Sequence, residues 1–70
     1  VFDGKKVKIN AEWTTAYRAN PVFLKFVKAN KDKVFTAHLA WGYTTLYTLD
    51  EDDSPVKWLF SEQSLIGVED

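Results

Sequence analysis

Residues 33–60 read KVFTAHLAWGYTTLYTLDEDDSPVKWLF. β-Branched and aromatic residues dominate this stretch, which is the composition of strands. Strands are expected at 33–39, 43–49 and 56–60. A tight turn at Ala40-Trp41-Gly42 and a polar loop at 50–55 separate them. Pairing Leu39 with Tyr43 sets Ala37 against Thr45 and Phe35 against Tyr47. Pairing Leu49 with Val56 sets Tyr47 against Trp58 and Thr45 against Phe60. Side chains alternate faces along a strand, so both hairpins then agree on one inner face. That face carries Phe35, Ala37, Leu39, Tyr43, Tyr47, Leu49, Val56, Trp58 and Phe60. The outer face carries Val34, Thr36, His38, Thr44, Leu46, Thr48, Lys57 and Leu59. The pattern predicts a three-stranded antiparallel meander with a large aromatic inner side.

Such a sheet needs a cover for its apolar face, and the flanking sequence supplies little. Residues 5–10 alternate, with Val7 and Ile9 apolar between lysines, and read as a first strand. Residues 65–68 read as a last strand, reached through a short turn at 61–64. The segment 11–19 has no clear period. Asn20-Pro21 is a helix start, because Asn can cap and Pro is tolerated where no backbone donor is needed. Phe23, Phe26 and Val27 then recur at helical spacing, with Asn30 as a stop, so one short helix is expected over 21–30. With 70 residues and no cysteine, the chain is one domain without a disulfide. Closing the sheet on itself buries the inner face with least chain. The expected fold is therefore mainly β: a small five-stranded barrel, with the helix in its long first connection.

The segments GKKVKI (4–9) and VKWLFSEQSLIGV (56–68) resemble the opening and the finish of SH3-like barrels. In those barrels an aromatic strand runs through a single 3₁₀ turn into a Leu-led closing strand. The resemblance implies an SH3-like fold over residues 1–70. The acidic first loop and Ala-Leu-Tyr start of the proline-peptide-binding SH3 domains are missing, so no peptide-binding residues carry over. The chain also resembles small orphan proteins of Gram-positive phages and mobile elements. That likeness implies a role in assembly or in interfering with a host protein, within the host cytoplasm.

Little in the sequence points to catalysis. His38 is the only histidine, and its expected neighbour is Thr44. The chain has no nucleophile elbow, glycine-rich phosphate loop or helix-borne His pair. The acids at 50–53 lack the spacing of a calcium loop and read as a solvated turn. The expectation is a non-enzymatic module with no metal, no cofactor and no small-molecule substrate. No apolar run reaches the length of a membrane span, and no signal-peptide pattern opens the chain. A cytoplasmic location is expected. The chain begins without methionine, which is expected of a trimmed N-terminus.

Two binding readings remain. Thr36, Leu46 and Leu59 become cross-strand neighbours on the outer face under this pairing. Outward leucines call for a cover, either the helix or another chain, so these three are the candidate contacts for a protein partner or for self-association. The alternative is a nucleic-acid-binding barrel. The net charge is −1, but it is unevenly spread: residues 1–33 hold eight basic and three acidic side chains. Trp13 and Tyr17 lie among these charges, and with Arg18, Lys25 and Lys28 they could stack and hold single-stranded nucleic acid. Completion of the core by Trp13 and Tyr17 is the competing structural role.

Overall fold

The computed structural model describes residues 1–68. Its elements follow the chain as β1 (Lys5–Ile9), α1 (Ala11–Tyr17), α2 (Pro21–Asn30), β2 (Phe35–Leu39), β3 (Leu46–Leu49), β4 (Phe60–Ser61), a 3₁₀ turn η1 (Glu62–Ser64) and β5 (Leu65–Gly67). The five strands form one antiparallel sheet in the order β4-β3-β2-β1-β5. The sheet curls into a half-barrel. Its two edges, β4 and β5, are linked through η1 but not by a ladder, so the barrel does not fully close. Among the described residues no helix is long and apolar enough to cross a membrane.

The meander is present, but its pairings differ from the expected ones. Leu39 lies opposite Tyr47 and Ala37 opposite Leu49, a displacement of four residues along β3. Tyr47 lies opposite Phe60 and Leu46 opposite Ser61, a displacement of two along β4. Both displacements are even, so each side chain keeps its face. Phe35, Ala37, Tyr47, Leu49 and Phe60 are buried as expected, in one core with Val7, Ile9 and Leu65. Leu39, Tyr43 and Val56, expected inside, are exposed, and Trp58 is only partly buried.

Local hydrogen bonds explain the displacements. Tyr43 N donates to Ala40 O at 3.0 Å, and Gly42 has φ +83° at the third position of this turn. That is the geometry of a type II turn, which glycine alone adopts without strain. Ala40 N then donates to Leu46 O at 2.9 Å, leaving Thr44 and Thr45 in the loop. The strand expected at 56–60 shrinks to two residues. Asp52 takes the amide hydrogen of Trp58 at 3.0 Å, and Pro55 has none to give. A ladder cannot form where its donors are engaged or missing.

The helix expected at 21–30 is α2. Asn20 Oδ1 accepts from Val22 N at 2.9 Å and from Phe23 N at 3.3 Å, and Pro21 occupies the first turn. Its buried face, Phe23 and Val27, joins the core on the inner side of the sheet. Of the outer leucines, Leu59 shares a surface groove with Val22 of α2, and Leu46 lies beside Ser61, Glu62 and Gln63. A second helix, α1, occupies the segment in which no period was legible. Asn10 caps it by accepting from Trp13 N at 3.2 Å. Buried Thr14 donates its hydroxyl to Asn10 O at 2.7 Å. Seven residues cannot hold a helix alone, and α1 rests on α2 and η1.

Candidate functional site

Two walls, one on the helical side and one on the sheet side, shape a groove on the surface. On the helical side, the Phe23 ring meets Trp58 edge-on at 5.0 Å and Phe60 at 5.5 Å. This ties the start of α2 to the segment leading into β4. Val22, one residue earlier, turns outward and is 67% exposed. The Arg18 guanidinium sits 4.2 Å over the Phe23 ring, a cation–π contact that holds it at the rim.

On the sheet side, residues 54–59 lie outside any strand and are shaped by a buried carboxylate. Asp52 is only 3% exposed. Its oxygens accept from Ser54 N at 2.9 Å and Trp58 N at 3.0 Å. The Lys57 ammonium donates to the carbonyls of Leu49, Asp50 and Asp52 at 2.8–3.0 Å. Burial opposes ionisation of Asp52. The hydrogen bonds from Ser54 and Trp58 and the nearby Lys57 charge outweigh it and hold the carboxyl below its ordinary value. The segment is thus pinned at both ends while Pro55 and Val56 face water. Val56 is 82% exposed.

Between the two sides runs an open groove of about 490 Å³, lined by Arg18, Val22 and all of residues 54–59. Its surface is mostly aliphatic and aromatic carbon, with one guanidinium at the rim. Such a site holds apolar side chains and orients them with few polar contacts.

The expected partner residues Thr36, Leu46 and Leu59 do not form one patch. The displaced register separates them. Thr36 is bound into a polar bridge: Lys6 Nζ donates to its hydroxyl at 2.9 Å, and its amide and hydroxyl donate to Glu51 at 2.6 and 2.9 Å. Leu46 lies at the far end of β3, beside Ser61, Glu62 and Gln63. Leu59 lines the groove. Of the alternative set, Trp13 and Tyr17 stack at 4.6 Å, and Tyr17 is 70% exposed. Lys25 and Lys28 flank a shallower depression on α2, with Pro21 and Leu24. Arg18 lines the groove. One residue from each reading, Leu59 and Arg18, therefore meets at the same place. Val22, Pro55 and Val56 complete it and were not legible as site residues.

The acids of the 50–53 run are engaged separately. Asp50 Oδ1 lies 2.8 Å from His38 Nδ1 on the surface, Glu51 bonds Thr36, and Asp52 anchors the groove segment. The neighbour of His38 is thus Asp50 rather than Thr44. The hydrogen bond and charge of Asp50 raise the imidazole above its ordinary value. Among the described residues no group of three or more His, Asp or Glu could hold a metal ion. Comparison with family models, curated proteins and solved structures finds no match to this chain.

Proposed function

We propose that this chain is a non-enzymatic protein-binding module that seats a segment of its partner in the groove between α2 and residues 54–59. The supporting observation is the pair Val22 and Val56, both exposed and both lining one groove with Trp58 and Leu59. Burying one such side chain is worth roughly 1.5–3 kcal/mol. A rigid, unfilled apolar groove is the usual form of a surface that buries a partner's side chain. In this reading Leu59 is the contact retained from the sequence-derived set. Thr36 is committed to the Lys6–Glu51 bridge, and Leu46 belongs to a separate surface.

The half-barrel is read here as an SH3-like barrel left open at one seam. The 3₁₀ turn between an aromatic-led β4 and a Leu-led β5 supports that reading. A phage or mobile-element setting, in the host cytoplasm, goes with it as part of the same proposal. The nucleic-acid alternative is favoured by the exposure of Tyr17. It is weakened by the stacking of Trp13 on Tyr17, which occupies one face of each ring and leaves fewer platforms for bases.

Val56→Asp tests the proposal, because the side chain is exposed and bears little of the fold. The variant is expected to melt within a few degrees of the parent. Peptides selected from a random display library on the parent are expected to lose binding to it. Equal binding to both would contradict the groove. A concentration-dependent dimer that dissociates in Val56→Asp would make a second copy of this chain the occupant.

A further inference from the structure

We infer that the groove takes an extended peptide segment with an apolar anchor and an acidic flank. The inference rests on the groove reading above and names the chemistry of its occupant. Six consecutive residues, 54–59, line one wall, and they lead directly into β4, an edge of the sheet. A track of that kind fits an extended chain better than a compact ligand. Val22, Val56 and Trp58 supply the pocket for the anchor.

The charge follows from the opposite wall. Of the residues lining the groove, Arg18 and Lys57 are the charged ones, and both are basic. Arg18 makes no ion pair among the described residues. Its guanidinium, 4.2 Å from the centre of the Phe23 ring, is the kind of group that donates in a fork to a carboxylate. Lys57, the other cation of the groove, is already engaged by three carbonyls. The acidic run ends at Asp53, beside Ser54, so the peptide's carboxylates lie toward Arg18 and away from Ser54. A nucleic acid would satisfy the charge, but the groove offers it a single ring, Trp58, among aliphatic walls.

The test is an NMR titration of the ¹⁵N-labelled chain with three probes: a blocked decapeptide alternating Glu with Leu and Val, the same peptide with Lys for Glu, and oligothymidylate. The Glu peptide is expected to shift the amides of Arg18, Val22 and residues 56–59. Its affinity should fall about fivefold in Arg18→Gln and on raising the salt, and vanish in Val56→Asp. The Lys peptide should bind at least about tenfold more weakly, a readout that needs no variant. Equal binding of the Glu and Lys peptides in the groove would overturn the acidic preference and leave the groove as a peptide site. Tighter binding of oligothymidylate at the same amides would replace the peptide by nucleic acid. Absence of any groove shift with all three probes up to about 1 mM, a very weak limit, would overturn both this inference and the groove reading.

Discussion

Phe60→Ala is expected to abolish the cooperative thermal transition of this domain. Phe60 is fully buried, lies opposite Tyr47, and contacts the rings of Phe23 and Phe26 at 5.5 and 6.5 Å. It joins the sheet to α2. Replacing a buried Phe by Ala costs about 3–5 kcal/mol, from lost burial and from the cavity left behind. A single core of this size rarely supplies more than about 3–5 kcal/mol in total, and a chain without cysteine has no disulfide to add to it. Circular dichroism on heating decides the matter. A sharp transition near the parent's temperature would mean that Phe60 is not the joint between α2 and the sheet.

The second large effect is expected at Asp52. Asp52→Ala removes the acceptor for the amides of Ser54 and Trp58 and the carboxylate beside Lys57. Orphaning these donors is expected to cost about 2–4 kcal/mol and to loosen the whole of residues 54–59, and with them one wall of the groove. Acid should do part of the same work. The folded-state pKa of Asp52 lies below its ordinary 3.8. Its stabilisation is therefore present above that value and is lost as pH falls through the folded value. Glu51 acts in the same direction. Burial opposes its ionisation, but the amide and hydroxyl of Thr36 lower its pKa. Urea midpoints at neutral pH and near pH 3 should show the parent losing more on acidification than Asp52→Ala does. Equal losses would mean that the carboxylate is not the anchor of this segment.

The faces of the sheet were legible in the sequence, and its register was not. Alternation assigns Phe35, Ala37, Tyr47, Leu49 and Phe60 to one side in the expected and the observed pairing alike, because slips of two or four residues preserve parity, whereas a slip of one would not. The length of a connection leaves no such trace. Thr44 and Thr45 have strand-forming side chains yet lie in the loop, because the turn at Ala40-Trp41-Gly42-Tyr43 closes on itself before the ladder resumes at Leu46. Trp41, at the tip of that turn, is 97% exposed. The sequence marks α2 through the Asn20 cap and the spacing of Phe23 and Val27. α1 lacks a comparable apolar stripe and stands on tertiary contacts and on the Asn10 cap. The groove was hidden by Val56, whose place in the alternation pointed inward. The contrary signal was present. An Asp two residues before Ser54 can bond its amide in an Asx turn, and the following Pro55 cannot donate, so the chain is held in a turn just ahead of the strand expected at 56–60.

The groove depends on where β4 meets β3. With Tyr47 opposite Phe60, the chain before β4 is free of the ladder, and Pro55 and Val56 form an outer wall. With Tyr47 opposite Trp58 instead, Val56 would pair with Leu49, enter the sheet and remove that wall. Cross-strand backbone NOEs on the folded chain separate the two cases. Contacts joining Tyr47 to Phe60 on one side and Leu39 on the other, with none between Leu49 and Val56, are the expected result. Contacts joining Tyr47 to Trp58 and Phe35 would contradict both the fold described here and the function proposed for it.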